Sequence, residues 1–250
     1  AHDTVNCYKS AYNHCEKLYH VQFVQLKTAD LQKVVDGCSL GARTKQNMKV
    51  LFTCMYKYAM ENDYLDKNYA EFVKLPKKEK SKKAAFTKAD RDKLWTAYNG
   101  GDSFVGYILI MIYTGMRYGE ISTVLIKNVH LDEKYLVGGI KTEAGKNRAI
   151  PISDKILPIV KAICEKGGEK LLDIPEKKFY TQFSDALKYT GVSVLPPHSC
   201  RHTCATALAE EGVQPAIIQQ ILGHTDYQTT LGYTHVDVAP LIDAINKIDR

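Results

Sequence analysis

Hydrophobic positions in the first third of the chain recur at the spacing of an α-helix. Residues 42–63 form the longest such stretch, and its opposite side is basic. A shorter stretch, 28–38, begins at Thr28, a residue type that often caps a helix N-terminus. The pattern predicts a small helical domain with one basic face. The apolar side of 42–63 comprises Met48, Leu51, Phe52, Met55, Tyr56 and Ala59, and the basic side includes Arg43, Lys45, Lys49 and Lys57.

The later part of the chain is also mainly helical. Thr87 and Asp90 have the spacing of a capping box, which predicts a helix start there. Residues 103–115 are almost entirely apolar and end at Gly115, as expected of a buried helix. Helical patterns resume at 154–167, 176–191, 199–212, 214–224 and 238–248.

Residues 134–152 interrupt this helical pattern. Short β-capable pieces alternate with glycines and end at Pro151, which predicts an antiparallel sheet of two or three strands. The fold class is therefore mainly α with one small antiparallel sheet (α+β). The basic run 74–83, with Pro76, is typical of a linker. We predict a helical domain at 1–76, a linker at 77–85 and a second domain at 86–250.

Charge is distributed unevenly between these parts. The formal net charge is +6, but residues 1–88 carry 16 Lys and Arg against 9 Asp and Glu, whereas the rest is nearly balanced. Such asymmetry favours a polyanionic partner, above all nucleic acid, although a solvated lysine-rich surface has the same composition. The candidate DNA-binding residues are Arg43, Lys45, Lys49, Lys77, Lys78, Lys80, Lys82, Lys83 and Arg148.

Composition also excludes some classes of protein. The longest apolar run, near 107–113, is too short to cross a membrane, and no signal peptide is evident. Seven dispersed cysteines without a C-x-x-C pair do not resemble a disulfide framework, so we expect reduced thiols in the cytoplasm. The chain begins at Ala1 rather than Met, as expected of a fragment or a processed form.

Four separate segments concentrate polar chemistry. Arg117 follows the buried helix in "TGMRYGEIS", where it can bind an anion or simply pair with Glu120. Lys141 lies in "GGIKTEAGKNR", a pattern equally compatible with an exposed hairpin. Arginines can grip a phosphate through planar, bidentate hydrogen bonds.

The other two segments contain histidines and tyrosines. In "PPHSCRHTCAT", His198 and Arg201 share a helix face, and His202 has the spacing of a zinc ligand pair. Arg201 on the same face would repel a cation, so we expect no metal site there. "LGHTDYQTTLGYTH" offers His224 and two tyrosines, Tyr227 and Tyr233, and spacing alone does not select the nucleophile.

Together these segments resemble the boxes of the tyrosine recombinases, the phage and transposon integrase family. "TGMRYGEI", "IKTEAGKNRAIPI", "HSCRHTCATALAEEG" and "LGHTDYQTTLGYTH" occur in the family's order across 87–235. The sequence is most similar in character to the integrases of conjugative transposons. Nothing in it resembles the arm-binding domain that those enzymes often carry, as expected of a truncated chain.

The resemblance implies a catalytic set and a mechanism. It places the set on Arg117, Lys141, His198, Arg201, His224 and Tyr233, with Tyr233 as nucleophile and Tyr227 as a packing residue. It implies double-stranded DNA as substrate, a 3′-phosphotyrosyl intermediate, and no metal or other cofactor. A bacterial, nucleoid-associated location follows from it, and an accessory directionality factor is compatible with it.

The resemblance also implies a tetramer that exchanges strands through a Holliday junction. Residues 237–249 form an amphipathic helix, for which we expect docking on a neighbouring protomer rather than on its own domain. Two alternatives remain: a type IB topoisomerase, which shares this chemistry, and a DNA-binding protein that has lost cleavage.

Overall fold

The structure, a computed structural model, describes residues 2–77, 84–139, 148–223 and 238–249. They fall into two compact units, Ala1–Ser81 and Lys82–Arg250, referred to as unit 1 and unit 2. The division lies inside the predicted linker, whose residues 78–83 are outside the described residues. No described helix has both the length and the apolar character needed to cross a membrane.

Unit 1 is helical, and its long helix buries the predicted apolar side. Its helices are α1 (His2–Asn13), α2 (Thr28–Gly37) and α3 (Ala42–Glu61), and α3 packs against α1 and α2. Met48, Phe52 and Tyr56 of α3 lie in the core. The Tyr56 hydroxyl donates to the Leu26 carbonyl at 2.9 Å, and burial raises the pKa of Tyr56 to about 12. This phenol is therefore a structural group.

The predicted cap of α2 is wrong by one residue. Lys27 is the N-cap, and the Asp30 carboxylate accepts its backbone N–H at 2.9 Å. Thr28 is the first helical residue, and its hydroxyl donates to the Tyr69 carbonyl at 2.8 Å. The side chain of Thr28 therefore joins two segments rather than capping its own helix.

Unit 2 surrounds the predicted apolar helix, α5 (Val105–Thr114), every residue of which is buried or nearly so. Against it pack α4 (Lys88–Asn99), α7 (Leu157–Glu165), α8 (Glu176–Tyr189) and α9 (His198–Glu210). Thr87 and Asp90 form the predicted capping box at the start of α4. The remaining described helices are α6 (Tyr118–Ile121), α10 (Pro215–Leu222) and α11 (Ala239–Ile245).

The predicted sheet is present and has three antiparallel strands in the order β1-β2-β3. They are β1 (Val129–His130), β2 (Tyr135–Gly138) and β3 (Arg148–Pro151). Leu136 pairs with Ile150 and Gly138 with Arg148, so the segment 140–147 with Lys141 connects β2 to β3. The predicted fold class, mainly α with a small antiparallel sheet, is confirmed.

The C-terminal segment packs within its own unit in the single chain. We expected its apolar face to dock on a neighbouring protomer, but Leu241, Ile245 and Ile248 are buried in the core of their own unit. Asp249 follows them and accepts hydrogen bonds from Arg91 and, at 2.7 Å, from the Tyr113 hydroxyl. In the single chain the tail therefore packs in cis, and docking on a neighbouring protomer stays a prediction.

Candidate active site

Two helix ends and one short helix bring the predicted arginines together. Gly115 ends α5 with a φ of 67°, which turns the chain sharply into Arg117 at the start of α6. Arg201 lies on α9, one turn after His198. Arg117 and Arg201 approach the same oxygen, Oε2 of Glu120, at 3.5 and 3.9 Å. The structure thus unites two predicted catalytic residues that are far apart in sequence.

Arg201 is held from two directions. Its side chain is 3% exposed, and its guanidinium donates to the Gly115 carbonyl at 3.1 Å and to the Leu222 carbonyl. These acceptors lie at the ends of α5 and α10, whose last carbonyls have no partners within their helices. Arg201 therefore fixes both helix ends, and the second of them shortly precedes His224 in the sequence.

Arg148 is the third guanidinium of this group, although we expected it on the DNA-binding surface. Its side chain is 4% exposed, and it donates to Glu120 Oε1 at 3.1 Å and to the Ile221 carbonyl at 2.7 Å. A side chain so enclosed does not reach a DNA backbone from this position. The assignment of Arg148 as a direct DNA contact is corrected, because its partners lie inside unit 2.

We call Arg117, Arg148, Arg201 and Glu120 the arginine cluster. Three guanidiniums face a single carboxylate, and Glu120 is their only acidic partner among the described residues. Burial, with a further contribution from Arg117, lowers the pKa of Arg201 to about 10, and burial also lowers the pKa of Arg148. Both remain cationic at neutral pH. An excess of buried positive charge favours the binding of an anion.

Access to the cluster is through Arg117. The Arg117 side chain is 41% exposed, in contrast to the other two guanidiniums. Its backbone N–H donates to Glu120 Oε2 at 2.9 Å, which fixes the base of the side chain while leaving its end accessible. The cluster can therefore present a planar guanidinium to an anionic ligand, with buried charge behind it.

The histidines of α9 lie next to the cluster in sequence. His198 is exposed and His202 is half-buried, and their rings meet edge to face with centroids 4.7 Å apart. In the described part of the chain, no group of three or more His, Cys, Asp or Glu side chains is arranged to hold a metal ion. The other predicted catalytic residues, Lys141, His224 and Tyr233, lie outside the described residues.

The predicted DNA-binding residues of unit 1 differ in availability. Arg43 and Lys77 are exposed and Lys45 is half-buried. Lys49 instead donates to the carbonyls of Glu71 and Val73 at 3.0 and 2.7 Å, so its ammonium is engaged within unit 1. Contact between Lys49 and DNA therefore stays a prediction. Lys78, Lys80, Lys82 and Lys83 lie outside the described residues.

Sequence reasoning missed the central role of Glu120 and the burial of Arg148. The sequence suggested Glu120 only as an ion-pair partner of Arg117, which lies three residues earlier in the chain. The signal available was its position at the start of a helix after a buried segment. The two carbonyl acceptors of Arg201 could not be predicted from the sequence, since every residue has a backbone carbonyl.

Comparisons with known proteins identify the family of this chain. The phage integrase family model matches residues 85–239. Tyrosine recombinase XerA of Pyrococcus horikoshii is 31% identical over 193 residues, which cover 71% of this chain and 66% of that protein. For this and three other recombinase relatives, the chain spans between 44% and 66% of the relative's length.

Solved structures share the fold. The Tn1549 transposon integrase in complex with transposon right end DNA has a TM-score of 0.77 at 18% identity, covering 96% of this chain and 92% of that chain. A lambda integrase tetramer bound to a Holliday junction has a TM-score of 0.75 at 16% identity, covering 95% of this chain and 75% of that chain. With the family model matching most of the chain, the protein belongs to the phage integrase family, the tyrosine recombinases.

Proposed function

We propose that this protein is a site-specific DNA recombinase that cleaves and rejoins DNA through a 3′-phosphotyrosyl intermediate. The observation that carries the proposal is the arginine cluster, in which three guanidiniums share one described carboxylate and one guanidinium is accessible. A DNA phosphate is the anion that family membership makes relevant. Phosphoryl transfer depends mainly on positioning and on stabilising charge, which such a cluster supplies.

The proposed reaction assigns a role to each residue of the catalytic set. The Tyr233 oxygen attacks the phosphorus, and the bond from phosphorus to the 5′-oxygen breaks. His198 assists removal of the tyrosine proton, and Lys141 donates a proton to the departing 5′-oxygen. Arg117 and Arg201 balance the charge that accumulates on the non-bridging oxygens, and His224 donates a hydrogen bond to one of them. Since the phosphodiester energy is kept in the phosphotyrosine, the scheme needs no ATP and no metal.

Unit 1 and the linker are the proposed source of sequence-independent DNA affinity. We assign this role to residues 1–76, with Arg43, Lys45 and Lys77 as phosphate contacts and the lysines of 78–83 as additional ones. Their support is the charge excess of the first 88 residues, because Lys and Arg bind DNA largely by releasing counterions. The predicted catalytic domain, residues 86–250 within unit 2, supplies the chemistry.

The proposed assembly is a tetramer on paired DNA sites that integrates or excises a mobile element. Its support is the likeness to the lambda integrase tetramer bound to a Holliday junction and to the Tn1549 transposon integrase. We extend the proposal to a conjugative transposon, to action on nucleoid DNA in a bacterial cytoplasm, and to an accessory directionality factor. The cis packing of residues 238–249 means that the assembly uses other contacts, or that the tail first leaves its own domain.

A nicked duplex that traps the cleaved product tests the proposal. The short fragment that is released with the 5′-hydroxyl diffuses away from such a substrate, so a true recombinase accumulates a covalent protein–DNA adduct. We expect the adduct at the 3′-phosphate, with a free 5′-hydroxyl released and no loss of yield in excess EDTA. Absence of any adduct would support the non-cleaving DNA-binding alternative. Relaxation of a supercoiled plasmid without exchange between paired sites would support the topoisomerase alternative.

A further inference from the structure

The guanidinium of Arg148 is buried at a cost in folding free energy. Two of its nitrogens donate to Glu120 and to Ile221, but its Nε is buried and has no hydrogen-bond partner among the described residues. A buried charge with an unused donor costs folding free energy, so the position of Arg148 calls for an explanation. The residue also begins β3 immediately after the segment that carries Lys141.

Glu120 connects Arg148 to the arginines of the predicted catalytic set. Its Oε1 accepts from Arg148 at 3.1 Å, whereas its Oε2 faces Arg117 and Arg201 at 3.5 and 3.9 Å. The latter two distances are longer than those of direct hydrogen bonds to a charged partner. The carboxylate is thus drawn toward Arg148 and away from close pairing with the other two guanidiniums.

A glycine at the end of α10 encloses Arg148 from the other side. Gly223 has a φ of 65°, and a Cβ at this position would lie 2.6 Å from Arg148 Nε and 2.8 Å from its Cδ. Only a residue without a side chain lets the backbone approach so closely. The end of α10 and the Arg148 side chain are therefore fitted to each other, which limits the positions open to the guanidinium.

We propose that Arg148 is a positioning residue that holds Glu120 away from Arg117 and Arg201, so that these two arginines keep their charge for the DNA phosphate. The inference rests on the proposed function. Without Arg148, Oε1 of Glu120 loses its described side-chain partner, and the carboxylate is free to turn and pair closely with the catalytic arginines. A neutralised clamp would bind DNA but stabilise the transition state poorly.

Single-turnover cleavage by the whole chain at saturating DNA tests the proposal. We expect Arg148→Met to lower the cleavage rate by about 10²-fold, comparable to losing one charge-stabilising donor. DNA affinity should change by less than about threefold, since most phosphate contacts are elsewhere. The decisive variant is Arg148→Met with Glu120→Gln, which removes the freed carboxylate while keeping an oxygen to accept the Arg117 N–H. We expect the double variant to cleave about tenfold or more faster than Arg148→Met.

A second substrate gives a readout that loss of folding cannot mimic. A methylphosphonate at the scissile position carries no negative charge, so it depends less on the arginines. On this substrate we expect Arg148→Met to cleave less than about tenfold more slowly than the wild type. Arg148→Lys replaces Arg148→Met in this comparison if the latter folds poorly. Lys134→Met is the matched control, because Lys134 forms an exposed ion pair with Asp154 beside the same sheet and should cleave like the wild type.

The outcomes distinguish the proposed function from the role of Arg148. No cleavage by the wild-type chain on either substrate would overturn the proposed function itself. Normal cleavage by Arg148→Met, a double variant no better than the single one, or an equal deficit on both substrates would overturn the role of Arg148 alone.

Discussion

Arg117 and Arg201 differ in their surroundings although the sequence presents them as equivalent members of one set. Arg201 is buried and donates hydrogen bonds to the Gly115 and Leu222 carbonyls, so it also stabilises the fold of unit 2. The Arg117 side chain is 41% exposed and contacts Glu120. Substitutions at the two positions should therefore separate catalysis from stability.

Arg117→Lys keeps the charge but loses the planar fork of donors. We expect the single-turnover cleavage rate to fall by about 10²–10³-fold, with thermal stability essentially unchanged. Arg201→Lys should lower the rate similarly and also lower the melting temperature, because two buried carbonyls lose their donor. Cleavage by either variant within about threefold of wild type would contradict the clamp assignment.

The sequence nominated residues for the site, but it did not indicate their surroundings. The order of the boxes selected Arg117, His198 and Arg201 from a single sequence. Arg148 follows a glycine-containing segment with exposed character in the sequence, and its burial depends on Ile221 and Gly223, which lie 73 or more positions later. No local pattern carries that information.

The periodicity of 42–63 predicted α3, because a helix buried on one face has apolar residues at helical spacing. The apolar run before Gly115 predicted α5, because a helix buried on all faces is apolar throughout. Strand β1 was missed, since its two residues are too short to show alternation. The cis packing of α11 was also missed, because an apolar helix face does not specify which surface covers it.

The end of α5 provides a test at the scale of the helices. Gly115 and Gly212 both have left-handed backbones, with φ of 67° and 69°, but a Cβ at Gly115 would overlap the Leu222 side chain whereas one at Gly212 meets nothing within 4 Å. We expect Gly212→Ala to cost about 1–2 kcal/mol of unfolding free energy from backbone strain alone. Gly115→Ala should cost clearly more, and denaturant unfolding compares the two. Equal losses would contradict the close contact between α5 and α10.

The C-terminal ion pair predicts a pH dependence. Burial opposes ionisation of Asp249, but hydrogen bonds from Arg91 and Tyr113 outweigh it and hold the pKa of Asp249 below its usual value. The resulting stability is present above the ordinary carboxyl pKa of about 4 and is lost as pH falls further. Asp249→Asn should lower the melting temperature at pH 7 and flatten its decline toward a pH of about 3. An unchanged melting temperature at pH 7 would mean that the tail does not depend on this pair.

The charge excess and the arginine cluster lie in different parts of the chain. Unit 1 lies within the stretch that carries the charge excess, and the arginine cluster lies in unit 2. The sequence suggested a boundary at a basic, proline-containing run, and the two compact units divide at Ser81 and Lys82. The proposed tetramer is a property of several chains on DNA, which the sequence of one chain indicates only through resemblance.

Removal of residues 1–81 should therefore weaken DNA binding without removing the arginine cluster. We expect lower affinity and a shallower dependence of log K on log salt, by about 0.9 for each phosphate that unit 1 no longer neutralises. Titrations at several salt concentrations measure both quantities. Lys49→Met is the informative control in the whole chain, because its ammonium is engaged by Glu71 and Val73 and its removal should leave the salt slope unchanged.

The proposed function depends above all on Tyr233 performing the covalent step at a phosphate gripped by the arginine cluster. Adduct formation on a nicked duplex by Tyr233→Phe and by Tyr227→Phe, with DNA binding followed in parallel, tests this step. We expect that both variants bind DNA, that Tyr233→Phe forms no adduct, and that Tyr227→Phe forms it at close to the wild-type yield. An adduct that persists in Tyr233→Phe, or that disappears only in Tyr227→Phe, would show that Tyr233 is not the nucleophile.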